Sequence, residues 1–522
     1  MEQTLVRQKS LIHSTTVFSL MTLLSRVFGF IRDMVVASLF GVTAGVDAFF
    51  VAFRIPNFLR RLFAEGAFSQ AFVPVLSEYQ HQQGQAEVKQ FLNRIAGNLT
   101  LVLTVLTIVA VIATPIIILI FAPGFGYGTP RFEMATFMLR ITFPYLLLIS
   151  LTAMSGAVLN TYGYFGVPAF TPVLLNLSII GAAVWLSPYL THPVEACAWG
   201  VLIAGIVQLL FQIPFLAKLN VLPKPEIAWR DPAVKRVLKL MVPALFGVSV
   251  AQINLTLDTV FASFLKVGSV SWLYYSDRIM EFPLGMFGVG IATVILPHLS
   301  RKHAENSVEQ YSAALDWAIR SILLIGLPSM VGLMMLAGPI LVTLFDYGKF
   351  TAHDVAMARL SLMAFGFGLP ACMLIKSLAS GFYAKQNIKL PVKIGVVALI
   401  SNTVLNLILM YPLAHAGLAL STSISAFLNA GLLWFFLRRH QIYTPVSGWR
   451  KYGLQLLLSN ILVGVFIYFS ADPVSQWLDW RWSERLWHLI LLLVGAISVY
   501  FAGLWLMGVR VKQFRLHSHG KK

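Results

Sequence analysis

The chain has 522 residues, of which 58% are hydrophobic and only 11% are charged, and its mean hydropathy is +0.77. Soluble domains carry roughly 25% charged residues, so this composition excludes a water-facing globular fold and predicts a protein whose solvent is lipid. A formal charge of +18 would suggest a nucleic-acid partner in a soluble protein, but no such partner is expected here, because the basic residues follow a membrane topology.

Apolar stretches long enough to cross a bilayer, which takes about 20 residues, recur along the whole chain. They predict an all-α polytopic membrane protein with about 14 transmembrane helices. The predicted spans are 13–41, 46–77, 92–122, 133–160, 166–187, 194–217, 239–266, 270–299, 311–346, 354–384, 391–411, 415–438, 452–470 and 485–509.

Lysine and arginine concentrate at the two chain ends and in the even-numbered loops between these spans, and they are sparse in the odd-numbered loops. Basic residues accumulate on the cytoplasmic side of a membrane. Both termini are therefore expected to be cytoplasmic. The basic loop at 218–236 and the tail from residue 510 are expected to set this topology and to touch anionic lipid.

The sequence also repeats itself with an offset of 223 to 225 residues. Residues 33–38 resemble 258–263, 54–55 resemble 278–279, 73–77 resemble 296–300, and 168–169 resemble 391–392. The period covers six helices, an even number, so both copies should have the same orientation in the membrane. The predicted architecture is two parallel six-helix lobes, about 10–220 and 235–440, followed by two extra transmembrane helices at 450–510. Two lobes of this kind are the architecture of a transporter.

Ionisable groups inside membrane spans cost about 2.5–3.5 kcal/mol each on insertion scales, and they persist when they pair or line a wet cavity. Three predicted spans are rich in such groups: Arg26, Arg32 and Asp33 in the first; Asp47, Arg54, Arg60, Arg61 and Glu65 in the second; Asp277, Arg278 and Glu281 in the eighth.

Two interpretations of these charges are open. Helical spacing would allow internal salt bridges from Arg26 to Asp33, from Arg61 to Glu65 and from Arg278 to Glu281. A surplus of arginine over well-placed acids favours instead a cationic cavity for an anion. Arginine suits phosphate because its planar fork donates two parallel hydrogen bonds and stays charged.

A second polar group lies in the predicted C-terminal lobe. It comprises Asp258, with Asn254 one turn earlier, Asn402 and Asn406 at i and i+4, and Thr422. Carboxylate, amide and hydroxyl oxygens are ligands for a small hard cation such as Na⁺. A protonatable Asp258, or hydrogen bonding between helices, would use the same residues.

Other features are consistent with a transporter that is not an enzyme. No Walker-type phosphate loop or catalytic triad is present, so the chain is not expected to hydrolyse ATP. Cys197 and Cys372 are expected to be unpaired. Trp477, Trp480 and Trp482 are expected to form an interfacial aromatic belt.

Several segments resemble one family over essentially the whole chain. They are residues 25–33 (SRVFGFIRD), 47–53 (DAFFVAF), 56–68 (PNFLRRLFAEGAF), 269–278 (SVSWLYYSDR) and 347–350 (YGKF). They look like the MurJ (MviN) family of lipid II flippases, within the multidrug/oligosaccharidyl-lipid/polysaccharide exporter superfamily. The stretch from Arg60 to Phe68 is the most specific part.

The resemblance implies alternating access and a groove for the undecaprenyl tail formed by the last two helices. Family positions tied to the diphosphate of the substrate fall on Arg26, Arg32, Arg60 and Arg278. Acidic positions fall on Asp33, Asp47, Glu65 and Glu281, while Arg54 stands where the family often has lysine. A sodium site described in part of the family would map to Asp258, Asn402, Asn406 and Thr422.

The function expected from these two lines of argument is transfer of lipid II from the cytoplasmic to the periplasmic leaflet of the bacterial inner membrane, for peptidoglycan biosynthesis. No cofactor is expected apart from Na⁺ or H⁺ coupling, and cell-wall synthesis proteins are candidate partners. The alternatives are a flippase for another polyprenyl-linked oligosaccharide, a cation-coupled multidrug exporter, and a scaffold or channel of the division machinery. The arginine surplus argues against the drug exporter, because a cavity that binds cationic substrates would be lined by acidic side chains.

Overall fold

A computed structural model describes the backbone of residues 2–510, and the side chains of residues 20–510 apart from 63–65, 244, 246–251, 254 and 255. Every regular element in this part of the chain is a helix, which confirms the predicted all-α class. By internal packing the chain divides into two compact units, Met1–Val270 and Ser271–Lys522.

The first unit contains ten α-helices and two π-helical stretches. The α-helices are α1 Glu2–Phe40, α2 Ala44–Leu59, α3 Ser69–Gln82, α4 Gln85–Ile112, α5 Thr114–Phe121, α6 Pro130–Thr142, α7 Tyr145–Thr161, α8 Gly166–Gly181, α9 Glu195–Lys218 and α10 Pro232–Ser263; the π-helices are Arg60–Phe68 and Ala182–Leu186. One core of this unit is built on stacked rings, with the centroids of Phe68 and Phe72 4.9 Å apart and those of Phe72 and Phe91 5.8 Å apart.

The second unit follows, with its first helix beginning just before the division. Its elements are α11 Ser269–Pro283, a π-helix Leu284–Gly288, α12 Val289–Ala304, α13 Val308–Met335, α14 Ala337–Phe345, α15 Ala352–Tyr383, α16 Lys389–Arg439, α17 Trp449–Ser470, α18 Val474–Asp479 and α19 Trp482–Leu506.

The long helix α16 contains two of the predicted spans, 391–411 and 415–438. Its helical backbone breaks at Ala414, whose φ of 47° and ψ of −129° are not helical. Beyond the break, Gly417 packs so closely on Leu409 that a Cβ would lie 2.2 Å from the Leu409 carbonyl oxygen. The chain therefore turns sharply between two spans, as the sequence predicts, although the hydrogen-bond pattern runs through the turn.

Ten helices among the described residues are long and apolar enough to cross a membrane. They include α16, which carries two predicted spans. The predicted spans 13–41, 46–77 and 239–266 are not among the ten. The first two carry the charges described above, and the third includes side chains outside the described set, so the total of fourteen stays a prediction.

Backbone landmarks recur between the two copies of the repeat. The threonines Thr129 and Thr351 cap α6 and α15 in the same way, each accepting a hydrogen bond from the amide three residues later. Residues with positive φ recur at Gly126 and Gly348, at Gly163 and Gln386, and at Asn220 and Gln441. Because these landmarks lie 221 to 223 residues apart, they support the repeat at the level of the backbone as well as the sequence.

The π-helices recur as well. The stretch Arg60–Phe68 follows α2, and Leu284–Gly288 follows the corresponding helix α11. Their first residues differ by 224 positions, the same offset that relates Arg54 to Arg278. π-Helical segments inside α-helices are rare and often mark functional sites.

The segment that leaves α9, residues 219–231, folds back along α4, and we call it the first strap. The Asn93 side-chain oxygen accepts a hydrogen bond from the Lys224 amide at 2.7 Å. The Asn93 backbone carbonyl accepts one from the Glu226 amide at 3.0 Å. The Asn98 side-chain oxygen accepts from the Ala228 amide at 3.2 Å. Three hydrogen bonds to two asparagines thus fix an extended segment on a helix.

The second copy has an equivalent second strap, residues 440–448, which lies along α13. The carboxylate of Asp316, at the repeat position of Asn93, accepts hydrogen bonds from the Val446 amide at 3.3 Å and the Tyr443 hydroxyl at 2.7 Å. Ser312 accepts from the Thr444 amide at 2.9 Å. Equivalent helices, α4 and α13, therefore hold the strap of their own copy by residues at equivalent positions.

The helix α10, which the repeat assigns to the second lobe, packs against α3 and the first π-helix within the first compact unit. The ion pair between Arg236 and Glu78, with 2.8 Å between nitrogen and oxygen, joins α10 to α3. This hydrogen-bonded guanidinium lowers the pKa of Glu78. The lobe boundaries at 220 and 235 stay a prediction.

Replacing Gly97 by alanine is expected to lower the free energy of unfolding by roughly 1–3 kcal/mol, the usual cost of overpacking. A Cβ at this position would lie 2.2 Å from the Glu226 carbonyl oxygen, so the first strap would have to leave α4. Gly431→Ala is the matched control, because a Cβ there meets nothing within 4 Å and alanine favours a helix. Thermal unfolding of both variants in detergent tests this, and equal melting temperatures would contradict it.

Candidate functional site

The helix α1 buries an arginine beside an acid. Arg32, only 6% exposed, donates from Nε and Nη2 to Asp33 Oδ1 at 2.9 and 2.6 Å. Its Nη1 donates to Asn176 Oδ1 on α8 at 3.1 Å, and the Asn176 amide donates to the Ser25 carbonyl at 3.2 Å. Asn176 therefore ties α8 to α1 at the point where the ion pair is buried.

This arrangement corrects the predicted bridge between Arg26 and Asp33. In the structure Asp33 pairs with its sequence neighbour Arg32, because Asn176 on another helix holds the Arg32 guanidinium in place. Arg26 is half-buried and, among the described residues, makes no hydrogen bond or ion pair. Arg26 is thus a cation within a predicted span that no described acid neutralises.

The helix α2 carries two further predicted residues, and each has a partner within the first unit. Asp47, fully buried near the start of α2, accepts a hydrogen bond from the Gly268 amide at 2.7 Å and lies 3.5 Å from a guanidinium nitrogen of Arg131. Arg54 donates from Nη1 to the hydroxyl of Thr259 on α10. Asp47 therefore holds the loop at Gly268. Arg54 connects α2 to α10 next to Asp258.

The most family-specific stretch, from Arg60 to Phe68, is a π-helix. Arg60 is half-buried and donates to the Asn57 side-chain oxygen at 3.3 Å, whereas Arg61 is exposed. Hydrogen bonds in a π-helix run from i to i+5, so the backbone of Arg60–Phe68 departs from the α-helical spacing on which the bridge between Arg61 and Glu65 was predicted. That bridge stays a prediction. The Glu65 side chain lies outside the described residues.

In the second unit, Arg278 on α11 pairs with Glu281 at 3.0 Å, which confirms that predicted bridge. The two side chains are 30% and 44% exposed. Solvated pairs at this spacing stabilise a helix by only a few tenths of a kcal/mol. Arg278 can therefore leave Glu281 for another anion at little cost.

The residues predicted to bind a cation fall in both units. Asn402 and Asn406 are buried on α16, and Thr422, on the same helix, donates its hydroxyl hydrogen to the Leu418 carbonyl at 3.1 Å. Asp258 is half-buried on α10 of the first unit, and Asn254 lies outside the described side chains. The donor chemistry of these oxygens fits Na⁺.

Among the described side chains, no group of three or more His, Cys, Asp or Glu is placed to hold a metal ion. The amide and hydroxyl ligands of a sodium site do not fall within those residue types. Both cysteines are free within the described part of the chain, as predicted.

The last long helix, α19, is anchored to α14 and α18 by a buried arginine. Arg485 is 5% exposed and donates to the carbonyls of Trp477 and Asp346 at 3.0 and 2.9 Å, and to the Asp346 carboxylate at 3.0 Å. Trp477 is completely buried, so its predicted place in an interfacial belt is wrong, whereas Trp482 is exposed. Trp477 fills space under Arg485 instead of facing lipid headgroups.

Chemically, the first unit carries arginines on α1, α2 and the π-helix, while Asp33 and Asp47, both buried, already have partners. Arg26, on α1, has no counter-ion among the described residues. Such an arrangement can bind an anion with bidentate geometry, as phosphates require. It does not suit a cationic substrate.

Sequence reasoning missed Asn176, Thr259 and Arg131, which hold Arg32, Arg54 and Asp47. A signal for Asn176 was available, because an amide in the middle of the apolar span 166–187 usually hydrogen-bonds to another helix. Thr259 and Arg131 carried no comparable signal, since a threonine beside Asp258 and an arginine at a span end are both common.

Comparison with known families gives one consistent result. The family described as lipid II flippase MurJ matches residues 36–481. A probable lipid II flippase MurJ of Vibrio cholerae is 46% identical over 97% of this chain and 98% of its own length. One of Haemophilus influenzae is 47% identical over 94% and 98%, and the lipid II flippase MurJ of Burkholderia cenocepacia is 44% identical over 95% and 97%.

Solved structures agree with these sequence matches. A lipid II flippase MurJ in an inward closed conformation aligns with a TM-score of 0.78 at 29% identity, covering 94% of this chain and 100% of its own. An inward-facing multidrug resistance transporter of the MATE family, in the MOP superfamily, aligns with a TM-score of 0.67 at 16% identity, covering 82% and 98%. The second likeness concerns the fold alone.

Proposed function

The chain belongs to the lipid II flippase MurJ family, and from this premise we propose that it moves lipid II across the bacterial inner membrane, from the cytoplasmic to the periplasmic leaflet. It is a multi-pass membrane transporter of a peptidoglycan precursor. The observation that carries the proposal is Arg26, a half-buried cation in a predicted span without a described counter-ion.

The proposed binding step uses the arginines in different ways. Arg26 offers its guanidinium fork to the diphosphate of lipid II, and Arg60 supports it from the π-helix. Arg32 has Nε, Nη1 and Nη2 engaged with Asp33 and Asn176, so it acts in this conformation mainly through the positive field around the site. Arg278 joins by giving up its solvated pair with Glu281.

Transport then follows as alternating access. The glycopeptide headgroup enters from the cytoplasmic side, while the undecaprenyl chain stays in lipid or in a groove at α17 and α19. Exchange of the Arg278–Glu281 pair for a phosphate contact, and its reformation, distinguishes the loaded state from the free one. A cation such as Arg26, which no described acid neutralises, also responds to the membrane potential, by about 2.3 kcal/mol per charge per 100 mV when it crosses the whole field.

Two further parts of the proposal concern coupling and topology. Na⁺ binding by Asp258, Asn402, Asn406 and Thr422 is supported by their oxygen chemistry and by the burial of both asparagines. Proton coupling through a protonatable Asp258 is the alternative to Na⁺ coupling.

The distribution of lysine and arginine supports cytoplasmic termini. Cell-wall synthesis proteins are the partners we expect, and no catalytic activity is expected.

The decisive experiment measures the accessibility of the lipid II headgroup in cells depleted of this protein. An externally added enzyme that cleaves lipid II at the periplasmic face reports how much has been translocated. We expect cleavage to stop while uncleaved lipid II accumulates. Continued cleavage at the normal rate, in a strain without another flippase, would reject lipid II as the cargo and favour another polyprenyl-linked oligosaccharide.

A further inference from the structure

The first unit contains an apolar cavity of about 170 Å³ between α4, α10 and the first strap. Leu99 and Leu103 line it from α4, Val237 and Met241 line it from α10, and Trp229 of the strap lies at its edge. None of the arginines assigned to substrate binding lines this cavity. The cavity is therefore separate from the arginines that the proposed function assigns to the diphosphate.

Apart from the Trp229 indole, Asn98 and Ser150 are the polar side chains among the described residues that line the cavity, and both have their hydrogen bonds elsewhere. The Asn98 amide donates to the Arg94 carbonyl at 2.9 Å and its oxygen accepts from Ala228, while the Ser150 hydroxyl donates to the Leu146 carbonyl at 2.7 Å. A buried water needs two to four polar partners. The wall therefore suits hydrocarbon and offers little to water or to a polar headgroup.

The size of the cavity sets the size of its guest. An apolar cavity of about 150 Å³ stays dry and accepts a benzene-sized molecule. A cavity of about 170 Å³ is thus suited to a segment of roughly six methylene carbons, by comparison with that case. This is part of one acyl chain and much less than a whole lipid.

The same end of α10 carries cations that have no described partner. Lys235 and Lys239, at i and i+4, are exposed and flank the lining row Val234, Leu238 and Met241. Arg230 is exposed next to Trp229. Within the described part of the chain none of these three cations forms an ion pair, whereas the neighbouring Arg94 and Arg236 are bound to Asp231 and Glu78.

We propose that this cavity and its cationic edge form a binding site for one anionic phospholipid. Part of an acyl chain enters between α4 and α10, and the phosphate headgroup contacts Arg230 and Lys235. The site combines an apolar wall with a juxtamembrane basic cluster, and such clusters attract anionic lipid by about 1 kcal/mol for each basic residue. The bound lipid would connect the first strap to both helices.

The test titrates the purified full-length protein with phosphatidylglycerol, or with phosphatidylcholine of identical acyl chains, and measures retained lipid by native mass spectrometry. We expect the wild type to retain one phosphatidylglycerol in preference to phosphatidylcholine. The double variant Arg230→Gln/Lys235→Gln should bind phosphatidylglycerol roughly 30-fold more weakly, from the loss of two basic contacts. Leu103→Trp, which fills the cavity, should abolish retention of the tightly bound lipid.

The matched control is Lys393→Gln/Lys451→Gln, which removes the same charge from exposed positions of the second unit. Unchanged affinity in this control supports a specific site. Equal retention of the two phospholipids by the wild type, or equal weakening in the control, would overturn the proposal. If the isoprenoid-linked precursor displaces phosphatidylglycerol and Leu103→Trp blocks that displacement, the cavity belongs to the substrate tail and the proposal is wrong. If Leu103→Trp does not fold, the charge variants decide alone.

Discussion

Replacing Arg26 by alanine is expected to reduce lipid II flipping by roughly 100-fold or more. The change removes a guanidinium fork that can make two charge-assisted hydrogen bonds to a diphosphate, each worth about 1.5–3 kcal/mol. It also removes a charge for which the described residues supply no counter-ion, so the folded protein should lose little stability. The measurement is periplasmic cleavage of lipid II in depleted cells that carry each variant.

Two companion variants sharpen this test. Arg26→Lys keeps the charge but loses the planar fork, so it should restore flipping only in part. Arg439→Ala removes an exposed arginine at the end of α16 and should flip normally. Normal flipping by Arg26→Ala, at equal amounts of protein in the membrane, would remove Arg26 from the binding site while leaving the family assignment untouched.

Replacing Asp316 by alanine should destabilise the protein by about 3–5 kcal/mol, the cost of leaving one partner of a buried ion pair behind. The Asp316 carboxylate is 4% exposed and accepts from Arg320 at 2.7 Å and from the Trp449 indole at 2.7 Å, besides the two contacts with the second strap. All these donors would lose their acceptor together. Thermal unfolding in detergent should show a large loss with no change in lipid II specificity.

Asp316→Asn separates the charge from the shape of this side chain. It keeps the acceptor oxygen for the Val446 amide but weakens the contact with Arg320, so we expect an intermediate loss. Asp479→Ala is the control, because Asp479 is exposed in α18. A melting temperature of Asp316→Ala equal to that of the control would show that the second strap does not depend on the carboxylate.

Most of the fold was predictable because it depends on average properties of long segments. Apolar length indicates spans whatever their neighbours are, and even the sharp turn inside α16 was foreseen between residues 411 and 415. The repeat was visible in sequence and recurs in the caps at Thr129 and Thr351. An error of a few residues in the predicted boundary of a span does not change these features.

The site was less predictable, because pairing depends on contacts between helices distant in sequence. Spacing along α1 favoured Arg26 as the partner of Asp33, but Asn176, 144 residues away from Arg32, decides the pairing. Along the second span the backbone becomes a π-helix from Arg60 onward, which α-helical spacing did not predict. Trp477 was assigned to the membrane surface from composition, and only the packing around Arg485 places it inside.

The two straps bear on how the chain can be assembled during synthesis. Each strap is held by a helix of its own copy, α4 for the first and α13 for the second, and both helices precede their strap in the sequence. Domains fold from the N-terminus as the ribosome delivers them. The first strap can therefore bind α4 once residue 231 has emerged, before α11 and the later helices of the second copy are available.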